Sequence, residues 1–273
     1  MSHPFHGHDA ASLYTSEDRT RQRSDALLSA KVSGRNISEV ICGLADTIRL
    51  PDHPDIIDIG CGQGRTTVRL AHHFGEASLT AIDASPAMVA ATHEGTANLN
   101  VKAQVGDFHA LRFPDSAFDL AVAVMCLYHS PTPDLAIRDI GRTVRTQGAA
   151  IFVTKANDSY RELADLLETA GLDLAATKRP SLYEAAHSGN LPDLTTKGGL
   201  RVEQVEHEIH TFTFTDLLHT ATYLATCPQF KLAEEFRHPD PLAAELRARI
   251  PDGPVTTTAT ITYVLARPTG RPS

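Results

Sequence analysis

The sequence predicts an α/β fold in which helices cover a doubly wound, mostly parallel sheet. Short apolar runs recur along the chain and alternate with stretches of helical spacing, which is the pattern of buried parallel strands joined by crossover helices. A glycine-rich turn joins one such run to a helix between Pro54 and Leu70. The last third of the chain adds two longer strands rich in β-branched residues, with a helical segment between them.

Length and charge limit the classes of function. With 273 residues, of which 42% are hydrophobic, the chain is long enough for one large α/β domain with an elaboration or for two small domains. The net charge of −8 argues against a nucleic-acid partner, because phosphate neutralisation requires clusters of lysine and arginine. No apolar run has membrane-spanning length and none opens the chain as a secretory signal would, so we expect a cytoplasmic protein with no membrane partner.

The cysteines and histidines form no metal-binding pattern. None of the four cysteines is part of a C-x-x-C pair, which argues against a zinc site or a redox motif, and we expect reduced thiols. The histidines of the last third are too far apart along the chain to suggest a ligand set. The sequence therefore predicts no metal site.

A strand, a glycine turn and a helix follow one another after Pro54. The apolar run Ile56–Ile59, interrupted by one acid, predicts a buried strand, and helical spacing resumes at Arg65. The glycines between them allow positive φ and let a ligand approach the backbone. Because this geometry presents free N–H groups and a helix N-terminus, we expect a ligand at the turn.

The glycine spacing argues against a dinucleotide. A G-x-G-x-x-G fingerprint would require a third glycine where Arg65 or Thr67 stands. The sequence instead has D-x-G-x-G-x-G from Asp58 to Gly64, and this resembles the first cofactor motif of the class I S-adenosylmethionine-dependent methyltransferases, in particular their small-molecule branch.

The resemblance implies a Rossmann-like sheet of seven strands with an antiparallel last strand and a helical cap. It implies S-adenosylmethionine as the methyl donor and S-adenosylhomocysteine as the product. It also implies that the turn holds the methionine part of the cofactor, through Asp58, Gly60, Cys61, Gly62 and Gly64.

A second motif follows the next strand, Ala77–Asp83. A carboxylate at the end of this strand can accept both hydroxyls of a ribose, and Asp83 is placed to do so; the alternative is an acid that caps the next helix. The sequence D-x-S-x-x-M, which includes Ala84 and Met88, resembles the second motif of the same family and implies that Met88 lies near the adenine. Core packing of Met88 would be compatible with that role.

A third motif, G-D-x-x-x-L-x-F-P-D, follows the predicted strand Val101–Val105. The resemblance implies that Asp107 accepts a hydrogen bond from the adenine amino group and that the backbone of Phe108 meets the ring. The alternative for Asp107 is a simple turn residue after a glycine.

The loop after the predicted central strand, Phe118–Val124, is expected to face the reacting groups, because ligands bind at the carboxyl ends of parallel strands. Met125 would lie beside the cofactor, and Tyr128 and His129 would contact the acceptor. His129 is our candidate general base, since its unperturbed pKa is near 6.5. The alternative is a structural role, because a sulfonium is already activated and positioning alone can suffice.

We divide the chain into three parts. Residues 1–50 are expected to form an N-terminal helical lid, residues 51–156 the cofactor-binding core, and residues 157–273 the rest of the core sheet with helical cap insertions. The resemblance makes Tyr14 a candidate lid residue over the cofactor; packing between two helices is the alternative. Helices are expected over 158–171 and 180–189.

The function expected is methyl transfer to an oxygen, nitrogen or carbon atom of a small metabolite, as in secondary metabolism and antibiotic biosynthesis, by a monomer or homodimer. Three alternatives remain open. The acceptor could be a quinone or lipid precursor, the bound sulfonium could serve a cyclisation or decarboxylation, or the chain could be a non-catalytic cofactor-binding regulator.

Overall fold

A computed structural model of the protein describes residues 17–269, and within them eight strands form one sheet. The strands are β1 (Lys31–Ser33), β2 (Asp55–Ile59), β3 (Ser78–Asp83), β4 (Val101–Val105), β5 (Phe118–Val124), β6 (Val144–Lys155), β7 (Leu200–Phe214) and β8 (Val255–Pro268).

Nine α-helices lie in the same part of the chain. They are α1 (Glu17–Ser29), α2 (Ile37–Asp46), α3 (Arg65–His73), α4 (Pro86–Gly95), α5 (Pro133–Thr143), α6 (Arg161–Thr169), α7 (Leu191–Lys197), α8 (Leu217–Leu224) and α9 (Pro239–Arg249). Two short 3-10 helices cover Leu127–His129 and Glu234–Arg237.

The sheet has the order β1-β7-β8-β6-β5-β2-β3-β4. Strands β6, β5, β2, β3 and β4 are parallel to one another, and β8 runs antiparallel to both β6 and β7. From β2 the chain winds outward to β4 and then returns to β5 on the other side. This reversal between β2 and β5 is the switch point at which strand ends leave a crevice. The Rossmann-like fold with an antiparallel last strand is thereby confirmed.

The middle of the sheet is its most buried part. Strand β5 lies between β2 and β6, and only its last residue is partly exposed. Strand β2 is likewise buried from Ile56 to Ile59. The near-continuous apolar sequences of both strands follow from this position, since a central parallel strand is covered on both faces.

The edge of the sheet carries a strand that the sequence did not indicate. The three residues of β1 pair antiparallel with the long strand β7, with Lys31 opposite Phe212. Because β7 has 15 residues, its outer edge offers backbone groups that an extended linker between α1 and α2 can pair with. The eighth strand is thus an addition to the seven expected.

Two helix predictions are wrong in detail. Residues 180–189 form turns, and a helix begins only at Leu191. Tertiary hydrogen bonds replace helical ones there: the hydroxyl of Thr154 donates to the carbonyl of Ala186 over 2.7 Å. The helix expected from residue 158 starts at Arg161, because Tyr160 adopts φ 66°.

Helix α1 contacts both the end of α8 and the start of α3. Its Arg19 and Arg23 donate to the carbonyl oxygens of Ala225 and Thr226, just after α8, over 2.9 and 3.1 Å. Those carbonyls lack helical partners, so the arginines cap α8. On the other side, Asp25 accepts from Arg65 over 2.8 Å. Helix α1 therefore bridges α8 and the start of α3.

The helices observed between residues 17 and 269 are all too short or too polar to cross a membrane. Over the same residues, no group of three His, Cys, Asp or Glu side chains could hold a metal ion.

Candidate cofactor and acceptor site

The glycine turn lies at the carboxyl end of β2, beside the switch point. Gly60, Gly62 and Gly64 have φ of 67°, 55° and 76°, in the region that favours glycine. A Cβ at Gly60 would lie 2.6 Å from the Cβ of Cys126, and one at Gly64 would lie 2.9 Å from Oγ1 of Thr92. A Cβ at Gly62 would meet nothing within 4 Å. The outer glycines are thus required by packing, whereas Gly62 leaves room for a ligand.

Neighbouring elements hold the turn in shape. The hydroxyl of Thr92 donates to the carbonyl oxygen of Gly62 over 2.8 Å, and the N–H of Cys61 donates to the carbonyl of Ile82 over 3.0 Å. The Cys61 thiol is buried 3.5 Å from Oγ1 of Thr92, and burial raises its pKa. Cys61 therefore contributes a neutral, packed side chain, and its predicted contact with the cofactor would involve its main chain.

Asp83 connects the end of β3 to this turn. Its Oδ2 accepts the N–H of Gly62 and its Oδ1 accepts the N–H of Ser85, both over 2.9 Å. Burial raises the pKa of Asp83, and the two N–H donors oppose that rise. Each oxygen keeps a lone pair for a ribose hydroxyl. The helix-capping alternative is not needed, since the side chain of Ser85 caps α4 by accepting from the N–H of Met88.

Asp58 lies near the carboxyl end of β2 with its side chain almost fully buried. The hydroxyl of Thr67 donates to its Oδ2 over 2.6 Å. Its Oδ1 is buried and has no hydrogen-bond partner among residues 17–269. Burial, with a contribution from the charge of Asp83, raises the pKa of Asp58 to about 6. A donor supplied by a ligand would satisfy this oxygen.

The residues predicted around the adenine lie at the ends of β3 and β4. Met88 is buried in the first turn of α4, Ala84 is exposed, and Phe108 is half-buried against the core. The side chain of Asp107 is 62% exposed. The two strand ends are joined because the N–H of Gly106 donates to the carbonyl of Asp83 over 3.0 Å. The structure thus gathers these residues on the β3–β4 side of the turn, and their adenine contacts stay a prediction.

A chain of hydrogen bonds holds Asp107, and the sequence did not suggest it. Oδ1 of Asp107 lies 2.7 Å from Nδ1 of His109 and accepts the N–H of the same residue over 2.9 Å. Nε2 of His109 lies 2.8 Å from Oγ of Ser130. Acid, imidazole and hydroxyl follow one another as in a nucleophilic triad, but Ser130 is completely buried and accepts the N–H of Thr132. The chain therefore positions Asp107.

The loop after β5 faces the same crevice. Met125 has φ 55°, an uncommon value for a residue with a side chain, and its N–H donates to the carbonyl of Val153 over 2.8 Å. Tyr128 is buried, with its ring centroid 5.0 Å from that of Tyr183 in an edge-on arrangement. His129 is partly exposed and its ring centroid lies 4.5 Å from that of Tyr128. The roles of all three stay predictions.

Lys155, the last residue of β6, was missed by sequence reasoning. Its ammonium lies 4.9 Å from the ring centroid of Tyr160 and 5.4 Å from that of Tyr183. Burial, and then the charge of Arg23, lowers its pKa to about 8. A lysine directly after an apolar strand, at the sheet edge where ligands bind, is a signal that could have indicated it.

The residues present fit S-adenosylmethionine. The open backbone at Gly62 leaves room for the ligand, the buried Oδ1 of Asp58 awaits a donor such as an ammonium, and Asp83 retains acceptor capacity for a ribose. Tyr14, the remaining predicted cofactor residue, lies outside the described residues.

Known proteins resemble this chain over the same region. A family described as a methyltransferase domain matches residues 56–148. The malonyl-(acyl-carrier protein) O-methyltransferase of Halorhodospira halophila (strain DSM 244 / SL1) is 27% identical over 157 residues, which are 57% of this chain and 52% of the relative. The sterol 4-C-methyltransferase strm-1 of Caenorhabditis elegans is 28% identical over 163 residues, 56% of this chain and 48% of the relative. The chain thus spans about half the length of these relatives.

A solved structure extends the likeness to the whole sheet. The 4+2 cyclase SpnF superposes with a TM-score of 0.60 over 95% of this chain and 96% of that one, at 17% identity, so this likeness concerns the fold alone. The cofactor motifs, the methyltransferase domain matched over residues 56–148 and the Rossmann-like sheet agree with one another, and together they indicate a class I S-adenosylmethionine-dependent methyltransferase.

Proposed function

We propose that the protein transfers the methyl group of S-adenosylmethionine to an oxygen, nitrogen or carbon atom of a small metabolite. One observation carries the proposal: the open backbone of Gly62 follows β2, which carries the buried Asp58, and donates its N–H to Asp83 at the end of β3, beside the switch point of the sheet. This arrangement matches a ligand that combines a cationic amino acid with a ribose.

Different residues would hold different parts of the cofactor. Asp58 with the turn of Gly60, Cys61, Gly62 and Gly64 would hold the methionine part, and Asp83 the ribose. Ala84, Met88, Asp107 and Phe108 would surround the adenine, and Met125 would lie near the sulfur. When bound, the cofactor supplies an activated methyl group. The chain would then contribute by orienting the acceptor, which is the main requirement for such a transfer.

We place the acceptor beyond the ends of β5 and β6. Tyr128 lies there, and α1 and α8 cover the neighbouring region through the contacts of Arg19 and Arg23. The contacts of α1 with α8 support the proposed division into a lid of residues 1–50, a core of residues 51–156, and residues 157–273, which complete the sheet and add the helical cap. Such a generic core with its own cap suits a tailoring step on a natural product. The relatives act on a malonyl group and on a sterol, so they do not select one acceptor.

His129 would contact the acceptor and, as a base, would take a proton from its hydroxyl or ammonium group. Its partly exposed position near Tyr128 supports this. We expect a monomer or homodimer, which sedimentation can decide.

Mass spectrometry of products tests the proposed reaction. The protein is incubated with S-adenosylmethionine carrying a trideuterated methyl group and a library of phenols, carboxylic acids, amines and quinone precursors. We expect one acceptor to gain the labelled methyl group while S-adenosylhomocysteine forms in equal amount. A product without the label would indicate a cyclisation or another non-methylating reaction. Binding of the cofactor without turnover of any compound would favour a regulatory role.

A further inference from the structure

Lys155 lies on the acceptor side of the proposed site. It ends β6, and the neighbouring Val153 accepts the N–H of Met125 from the loop after β5. Strand β6 is two places from β2 in the sheet, a distance of roughly 10 Å, which a lysine side chain and a small acceptor can bridge together. Lys155 remains partly accessible. Its ammonium is therefore in reach of a molecule bound in front of the glycine turn.

Residues 17–269 supply no counter-charge for this ammonium. Among them no carboxylate lies within 4.0 Å of its Nζ and no hydrogen-bond acceptor is in contact with it, and its recorded contacts are with the rings of Tyr160 and Tyr183. Cys227 lies nearby, but burial raises the pKa of its thiol, so that it stays neutral. Burial likewise raises the pKa of Tyr160 and Tyr223. A largely buried charge without a partner is unfavourable, and a ligand anion would supply the missing negative charge.

The surroundings of Lys155 favour an anion. Arg23 of α1 adds a second positive charge near it. On β7, the pKa of His210 is lowered chiefly by burial, then by the charge of Lys31 and to a smaller extent by that of Lys155, while Glu208 opposes the shift. The hydroxyl of Tyr160 is buried and has no hydrogen-bond partner in the described part of the chain. Tyr160 also has φ 66°, a strained value of the kind found at ligand sites.

We propose that Lys155, with Tyr160 and Tyr183, forms the subsite for an anionic oxygen of the acceptor. The oxygen belongs either to a carboxylate or to an ionised hydroxyl. The ammonium pairs with the oxygen and the Tyr160 hydroxyl donates to it, while the aromatic rings contact an apolar body. This subsite rests on the proposed function, because it assigns a charge to that function's acceptor.

The protein is first saturated with S-adenosylhomocysteine, and small probe molecules are then titrated into this complex at pH 7, with their binding followed by ligand-observed NMR. Benzoate and its neutral analogue benzamide test for a carboxylate. The chromogenic 4-nitrophenol tests for an ionised hydroxyl, because its absorbance reports whether it is bound as the phenolate. The variants are Lys155→Met, which removes the charge, Lys155→Arg, which keeps it, and Lys102→Met as a control at an exposed lysine of β4.

We expect at least one anion to bind more tightly than its neutral form. Lys155→Met should weaken that anion about tenfold or more, whereas Lys155→Arg and Lys102→Met should leave most of the preference. Preference for benzoate identifies a carboxylate, and binding of 4-nitrophenol as phenolate identifies a hydroxyl. Equal binding of charged and neutral probes, or a preference that survives Lys155→Met, would overturn the subsite.

Two further measurements keep this result separate from the proposed function. Titration with S-adenosylhomocysteine alone tests the cofactor and does not depend on Lys155. Circular dichroism and thermal unfolding show whether Lys155→Met is folded. If it is not, the subsite is still tested by the affinity of Lys155→Arg for the anion and by the comparison of benzoate with benzamide in the wild-type protein. If the wild-type protein binds S-adenosylhomocysteine but shows no preference for either anion, the subsite alone is contradicted. If it does not bind S-adenosylhomocysteine, the proposed function is contradicted.

Discussion

The hydroxyl of Thr67 donates to one carboxylate oxygen of Asp58 over 2.6 Å, and the other oxygen is buried without a partner in the described residues. A single donor does not compensate for the burial of a full charge, so the pKa of Asp58 rises to about 6. Asp58 thus couples protonation to folding and, in the proposed site, to ligand binding.

The first prediction concerns stability in the absence of ligand. Because the pKa of Asp58 is higher in the folded than in the unfolded protein, the folded protein binds more protons between pH 3.8 and about 6. The contribution of Asp58 to the free energy of unfolding should therefore be greatest at low pH and decline as pH rises to about 6. Denaturant unfolding of the wild-type protein and of Asp58→Asn isolates this contribution. A stability difference between the two proteins that does not change with pH would contradict the assignment.

The second prediction concerns the affinity for S-adenosylhomocysteine. An ammonium group beside Asp58 favours the ionised carboxylate, so binding should release a proton near pH 6 and weaken about tenfold per pH unit below it. Calorimetry in two buffers of different ionisation enthalpy measures the proton released. Asp58→Asn should show weak, pH-independent binding. Proton uptake by the wild-type protein would place the ligand ammonium elsewhere.

Replacement of Asp83 tests the ribose assignment. Asp83→Ala removes a charged acceptor and should weaken S-adenosylhomocysteine by roughly 1.5–3 kcal/mol. The variant also loses the acceptor for the N–H of Gly62, so its free energy of unfolding should fall by about 1 kcal/mol. Asp46→Ala, which removes an exposed acid bonded to His73, serves as the control and should bind normally. Unchanged affinity in Asp83→Ala would exclude the ribose contact.

Gly62 offers a test with a matched control. Gly62→Ala places a methyl group in the space reserved for the ligand, so cofactor binding should be lost or weakened more than tenfold. The positive φ adds a stability cost of about 1–2 kcal/mol. Gly199 also has a positive φ, of 85°, and an equally open surrounding, but it lies before β7. Gly199→Ala should therefore show a similar loss of stability with normal binding. If both variants bind normally, the ligand does not approach Gly62.

Replacement of His129 distinguishes catalysis by a general base from catalysis by positioning of the acceptor. If it accepts the proton of the acceptor, His129→Ala should reduce kcat with unchanged affinity for S-adenosylhomocysteine and should remove the acidic limb of the pH–rate profile. The measurement is kcat and KM across pH with the acceptor found by mass spectrometry. A profile that keeps its wild-type shape would leave His129 with a positioning role.

The positions of the proposed cofactor residues could be predicted because their signals are local. Asp58, the three glycines and Asp83 each lie at a strand end or in the turn that follows, and strand order brings those ends together. The grouping of the residues in the proposed acceptor subsite could not be predicted in the same way. Lys155, Tyr160, Tyr183 and Tyr223 come from separate segments, and only tertiary packing brings their rings and the ammonium together.

Predictions from local sequence patterns were also wrong where tertiary hydrogen bonds compete with helix formation. Residues 180–189 have helical composition, yet the carbonyl of Ala186 is used by Thr154 and the N–H of His187 by Asn190. The contact of His109 with Asp107 and Ser130 was missed for a related reason, since Ser130 lies 21 residues away on another loop. In each case one partner, Thr154 or Ser130, is distant in sequence from the residue that it contacts.

The cofactor assignment is best tested by calorimetric titration of the wild-type protein with S-adenosylhomocysteine, with NAD in parallel. We expect micromolar binding of S-adenosylhomocysteine, no binding of NAD, and loss of S-adenosylhomocysteine binding in Gly62→Ala but not in Gly199→Ala. If the folded wild-type protein does not bind S-adenosylhomocysteine, or binds NAD in its place, the protein does not use S-adenosylmethionine as proposed.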